Sequence, residues 1–170
     1  MEKTIENKIK ILLTKEKYKE ASELLNDYIL KNKEDNVAWY LLGIVAMRMK
    51  NYDLAHEYFE RSLLLKKDCD ALLFDGLAYL EMLDTESAKR KFSACLEIEP
   101  NHQEANFYLA ICYLLEGNPL SSKYIKNAYA IDKKKTLRML QDFFREVIEK
   151  NPFYKSEEKE SIRKELEKKK

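Results

Sequence analysis

The chain has 170 residues and a mass of 20.2 kDa, enough for one domain with a substantial core and too little for two of ordinary size. Hydrophobic residues make up 45% of it and charged residues 36%, and 31 Lys and Arg against 30 Asp and Glu leave a formal charge of +1. That balance supplies no global field for a polyanion and argues against nucleic acid as a partner. Only three Gly and three Pro occur, too few for many hairpin turns or phosphate loops, so the chain is expected to be helical almost throughout. No apolar run approaches the roughly eighteen residues of a membrane span, and the opening Met1-Glu2-Lys3 has no leader pattern, so a cytoplasmic protein without membrane contact is expected.

Four stretches of similar pattern follow one another. Small residues that set the register, Ala21, Ala55, Ala88 and Ser121, are spaced 34, 33 and 33 residues apart. Four positions after each comes a large apolar residue, Leu25, Phe59, Phe92 and Ile125, one turn along the same helical face. Three positions further stand Tyr28, Ser62, Cys95 and Ala128, small in three units of four. The predicted organisation is four helix-pair units at 2–35, 36–68, 69–102 and 103–135, a helix over 136–151, and a charged helix or tail over 152–170.

This pattern resembles the tetratricopeptide repeat family. The second unit carries it best, in Trp39-Tyr40-Leu41-Leu42-Gly43 followed by Tyr52, Ala55, Phe59 and Leu63. The third keeps Gly76, Tyr79, Ala88, Phe92 and Pro100, with Asp75 where the family usually has an apolar residue. The fourth keeps Leu109, Ala110, Tyr113, Gly117 and Ala128 and lacks one residue near Pro119. The first retains Leu12, Tyr18, Ala21 and Leu25 without the Trp and Gly, as a terminal unit would. The resemblance covers about residues 2–133 and implies an all-α fold, a right-handed α-solenoid of antiparallel helix pairs. Physics supports it independently, because a two-helix unit cannot bury both apolar faces alone and stacked units share a core. Gly43, Gly76 and Ala110 recur at corresponding places, where lack of bulk admits a close helix contact.

After Lys133 the pattern stops. Thr136 opens a segment with Leu137, Leu140, Phe144, Val147 and Ile148 at helical spacing, ended by Asn151-Pro152. It is expected to cap the last repeat, the alternative being that it folds into the groove. Phe153 and Tyr154 follow, and from Ser156 a charged helical stretch has only Ile162 and Leu166 as apolar members. Lysine clusters at Lys133–Lys135 and Lys168–Lys170 are interspersed with glutamates and read as solvated.

Little in the sequence points to chemistry. His56 and His102 stand at no recognisable spacing from an acid or nucleophile, and no zinc-protease, nucleophile-elbow, Walker or dinucleotide motif occurs. Cys69, Cys95 and Cys112 are odd in number and lack C-x-x-C spacing, which suggests a reducing compartment, with Cys95 and Cys112 as small buried hydrophobes. No enzymatic activity, no cofactor and no metal are expected.

In the resembled family the first helix of each unit lines a concave groove. Its groove-facing positions map to Tyr40, Ile44, Met47 and Arg48, then Leu73, Leu77, Leu80 and Glu81, then Phe107, Ile111, Leu114 and Leu115. The groove reads apolar and aromatic, without the Lys, Asn and Arg set with which chaperone-binding members clamp a carboxylate. Residues 39–47 are apolar or Gly on every side of their helix, so something should cover that side. The expected function is an interaction scaffold holding a peptide or helix of a partner protein. The alternatives are a secretion-type chaperone for an apolar segment, or a homo-oligomer whose groove is occupied by a second copy.

Overall fold

The computed structural model of the chain describes residues 1–150 together with 152, 155–157, 159, 160, 163 and 164. Asn151, Phe153, Tyr154, Ile162, Leu166 and Lys168–Lys170, singled out above, lie outside the described residues. Among the described residues the regular structure is helical throughout, with no strand. The chain separates into two compact bodies, Met1–Pro100 and Asn101–Lys170. The first holds α1 (Lys3–Thr14), α2 (Tyr18–Lys31), α3 (Asn36–Arg48), α4 (Tyr52–Leu65), α5 (Cys69–Glu81) and α6 (Thr85–Ile98). The second holds α7 (Gln103–Leu115), α8 (Ser121–Ile131), α9 (Lys133–Phe143) and a π-helical turn, Phe144–Glu149.

Each helix pair turns by the same device. Glu16, Lys50, Leu83 and Gly117 follow the first helix of each pair in left-handed conformation, with φ of 56°, 59°, 62° and 67°. The next residue's N–H reaches back to a helical carbonyl: Lys17 to Leu12, Asn51 to Ala46, Asp84 to Tyr79 and Asn118 to Tyr113, at 2.8–3.0 Å. This is the Schellman closure, which satisfies carbonyls that the helix end leaves open. From the left-handed residue to the small residue of the second helix there are four positions in the fourth pair, Gly117 to Ser121, against five in the others, which accounts for the residue missing near Pro119. The second helix of that pair also starts later, with 116–120 lying between α7 and α8. Asp35, Asp68, Asp84 and Asp132 accept backbone N–H groups at the starts of α3, α5, α6 and α9. The Asp132 cap starts α9 at Lys133, three residues before Thr136.

Within a pair, the two helices meet at one matched position. Gly43 lies under the Phe59 ring and Gly76 under the Phe92 ring, so closely that a Cβ on either glycine would sit 2.5–2.6 Å from the nearest ring carbon. Both rings are fully buried. At the corresponding place the first pair sets Ile9 with Leu25, both fully buried in one cluster. The last pair has Ala110 and Ile125, so the phenylalanine ring occurs only where the facing residue is glycine. Helix α3 is buried from Leu41 to Ala46: Ala38, Leu41, Leu42 and Val45 pack in the cluster with Ile9, Ala21, Leu25 and Ile29, while Ile44 and Ala46 pack with Ala55 and Phe59.

Asp75, which occupies a usually apolar position, is fully buried but partnered. Its Oδ1 lies 2.5 Å from His56 Nδ1 on α4, and Lys91 Nζ on α6 stands 2.7 Å from Oδ2. His56, which shows no acid partner in the sequence, therefore has one 19 residues away, and its ring stacks on Tyr79 at 3.8 Å. Burial, then the neighbouring Asp75 carboxylate, push the Tyr79 hydroxyl above the usual phenol value, against the opposing pull of Lys91. In the second body, Gln103 Nε2 donates to Thr136 Oγ1 and Thr136 Oγ1 to the Ala128 carbonyl, each at 2.9 Å, tying α9 to α7 and α8.

The cysteines depart from the reading above. Cys95 is fully buried, as is Cys112, but Cys95 is bonded to Cys69 across α5 and α6 rather than standing as an unpaired hydrophobe. A separation of 26 residues offers no local spacing that would reveal the bond.

Three outcomes are expected. Gly43→Ala, although alanine favours helix by about 1 kcal/mol, should cost a net of about 1–3 kcal/mol in urea unfolding, and combined with Phe59→Leu should cost less than the sum. Leu83→Gly should raise stability by about 0.5–1 kcal/mol by relieving the left-handed backbone, read as a higher urea midpoint at unchanged slope. Lys91→Met at pH 8 should cost about 3 kcal/mol by stripping a partner from buried Asp75, and Asp75→Leu in the same chain should recover most of that loss.

Candidate functional site

The side chains expected to face a groove fall into two groups. On α3, Tyr40 and Met47 are half-buried and pack against the cluster of buried Ile44, Ala55 and Phe59. The Tyr40 ring meets Phe59 at 6.2 Å and, edge-on, Phe74 of α5 at 5.8 Å. Burial, followed by the nearby Asp70 and Asp68 carboxylates, pushes the Tyr40 hydroxyl well above the usual phenol value, so it stays protonated and can donate a hydrogen bond at any physiological pH. On α5, Leu73 is buried, while Leu77 and Leu80 are half-buried and Glu81 is exposed. Beyond them Met82 is 47% and Leu83 79% exposed. In the first body, Tyr40, Met47, Leu77 and Leu80 thus keep accessible apolar surface, whereas Ile44 and Leu73 are buried. In the second body, Phe107 and Ile111 are buried within α7, and Leu114 and Leu115 are exposed at its end.

A second apolar surface had no counterpart in the sequence reading. Leu63, Leu64, Leu72, Ala94 and Ile98 line a cleft of about 400 Å³ among α4, α5 and α6, rimmed by Glu60, Lys67, Lys91 and Glu97. Leu64 is 78% exposed there. The signal available was Leu64 and Ile98 themselves, apolar residues that the repeat register does not require.

The groups with chemical potential are occupied by structure. His56 Nδ1 faces Asp75. His102 caps α7, its Nδ1 accepting the Ala105 N–H at 3.2 Å, which needs that nitrogen unprotonated. Glu104, beside Lys135, is pushed up by burial and brought below the usual glutamate value by the Lys135 hydrogen bond and charge. No helix among the described residues is long and apolar enough to cross a membrane.

With this geometry in view, a family model for the tetratricopeptide repeat matches residues 37–69, which span α3 and α4. A search of curated proteins finds no match. Among solved structures, a MamA chain from Desulfovibrio magneticus, residues 41 to the end, is 20% identical over 98% of this chain and 94% of that one, with a TM-score of 0.71. YrrB, described as a tetratricopeptide repeat protein with an unusual peptide-binding site, is 23% identical over 78% of this chain and 71% of that one, with a TM-score of 0.65. The first repeat domain of Spaghetti (RPAP3), solved with the HSP90 peptide SRMEEVD, is 21% identical over 68% of this chain and 92% of that one, with a TM-score of 0.63. At such identities the likeness is one of fold. The chain accordingly contains a tetratricopeptide repeat at residues 37–69 and has the all-α helical-repeat fold of tetratricopeptide repeat proteins.

Proposed function

We propose that the protein is a non-enzymatic interaction scaffold, and that the first-helix face of the Met1–Pro100 body holds a peptide or helix of a partner protein. The observation that carries this reading is the accessible apolar stripe on α3 and α5, Tyr40, Met47, Leu77 and Leu80, continued by exposed Met82 and Leu83. Leu83 adds weight, since an exposed leucine in a left-handed turn serves neither burial nor backbone geometry. Two proteins of the same fold have peptide binding in their descriptions, YrrB and the Spaghetti domain with its HSP90 peptide. The Spaghetti ligand is acidic, whereas the stripe here is apolar, so the partner segment is expected to present large apolar anchors.

Magnitudes restrict the mode. Covering the exposed part of four such side chains, about a third or less of each, supplies at most about 2–4 kcal/mol, against association costs of about 4–15 kcal/mol. Micromolar affinity therefore needs a rigid face, and the Gly43–Phe59 and Gly76–Phe92 contacts beneath α3 and α5 provide one.

Selection of a displayed random peptide library on the full chain tests the reading. Enriched peptides should carry two or more large apolar residues and bind at about 1–100 µM. Leu77→Glu should weaken them at least about tenfold, with the melting temperature held within about 2 °C, while Leu64→Glu in the second-helix cleft should have no effect. Loss of binding with Leu64→Glu alone would move the site to the cleft, and equal loss of folding and binding with Leu77→Glu would place Leu77 in the core. Failure to enrich any peptide, together with a dimer mass by light scattering across a concentration series, would replace the partner by a second copy.

A further inference from the structure

The third helix pair differs from the others in what joins its two helices. Cys69 opens α5 and Cys95 lies in α6, 26 residues on, with their Cα atoms 4.7 Å apart. One repeat earlier the corresponding residues are Asn36, which opens α3, and Ser62 in α4. There Ser62 Oγ donates to the Asn36 carbonyl at 2.9 Å. The repeat brings these two positions together whether or not a covalent bond joins them. It follows that the cysteine pair does not depend on its bond for its place. The thiol form also has a partner available, because Cys69 Sγ lies 3.6 Å from the Cys95 carbonyl oxygen, within reach of a weak S–H hydrogen bond.

We infer that Cys69 and Cys95 form a reversible thiol–disulfide clip, which ties α5 to α6 covalently under oxidising conditions and leaves them held by packing alone under reducing ones. Two features make the pair specific. The Met1–Pro100 body contains no cysteine besides these two, and Cys112 is buried in the other body. Both sulfurs are also shielded, Cys69 at 4% exposure and Cys95 at 0%. Exchange therefore starts at Cys69, the first residue of its helix, where fraying of one turn is enough to expose it.

The oxidant is a small-molecule disulfide of the glutathione class. The Cys69 thiol loses its proton, and the thiolate attacks one sulfur of the oxidant, forming a mixed disulfide as one glutathione thiolate leaves. The Cys95 thiolate then attacks Cys69 Sγ, forming the protein disulfide and expelling the second glutathione thiolate. Two protein thiols are oxidised, one glutathione disulfide is reduced to two glutathiones, and the protons pass to the leaving thiolates. Once formed, the bond closes a loop containing nearly all of α5 and α6, including Leu77, Leu80 and Asp75.

The test uses the full chain equilibrated in glutathione buffers of graded redox ratio, quenched with acid, unfolded, alkylated and weighed by mass spectrometry. The expected result is a single reversible two-electron transition from three alkylated thiols to one, with a Cys69–Cys95 cross-link in the peptide map. Oxidation of the same chain should also lower the unfolding constant by a factor of about 100–1,000, read from urea titrations of the two forms. A Cys69→Ser chain should show no internal disulfide and keep two alkylated thiols across the series. Three alkylated thiols at every ratio, stable mixed disulfides with glutathione, a cross-link to Cys112, or identical unfolding of the oxidised and reduced chains would each overturn the clip. None of these outcomes depends on whether the first-helix face binds a peptide.

Discussion

The contact of a phenylalanine ring with the backbone of a facing glycine is the constraint on which the helix pairs depend. Phe59 over Gly43 and Phe92 over Gly76 bring two helices closer than any side chain on the first helix would allow. Because the rings are fully buried, they cannot rotate away to admit a methyl group. This close approach sets the distance at which the rest of each pair meets, including the Ser62 hydrogen bond to Asn36 and the bond between Cys69 and Cys95. Where the glycine is replaced by Ile9 or Ala110, the facing residue shrinks to Leu25 or Ile125. A phenylalanine thus stands only opposite a glycine, and where the first helix carries a side chain there the facing residue is a smaller aliphatic one.

On this apolar framework the first body carries one buried charge cluster. Asp75 faces His56 Nδ1 and the Lys91 ammonium, which come from the preceding and following helices, so three consecutive helices meet at one carboxylate. A buried carboxylate is a weak source of net stability but a strong penalty for misplacement, since any register that parts it from both partners leaves a bare charge in the interior. The cluster thereby favours one stacking of α4, α5 and α6 over shifted alternatives. In the second body neutral hydrogen bonds among Gln103, Thr136 and the Ala128 carbonyl do the corresponding work at the junction of α7, α8 and α9.

The surface left after these contacts is where function is sought. Ile44 and Leu73 are spent on the interior, whereas Tyr40, Met47, Leu77 and Leu80 keep part of their area accessible. A position rule for the first helices names all of them together, because helical spacing cannot distinguish a residue that lies beneath its neighbours from one beside them. Phe107 and Ile111 show the same effect in the second body, where both are buried and Leu114 alone of the three stays exposed.

How far the sequence alone reaches is clear from particular residues. The anchors Ala21, Ala55, Ala88 and Ser121, with Leu25, Phe59, Phe92 and Ile125 one turn later, determined the helix pairs and their register, because helical periodicity and residue volume are local properties. The missing residue near Pro119 was legible for the same reason. The His56–Asp75–Lys91 cluster, the Cys69–Cys95 bond and the cleft around Leu64 and Ile98 were not. Each joins residues 16 or more positions apart on different helices. Only the packing of one helix on another decides which of the many polar, thiol and apolar side chains at such separations come to face each other, and that depends on rotation and depth, which no spacing along the chain records.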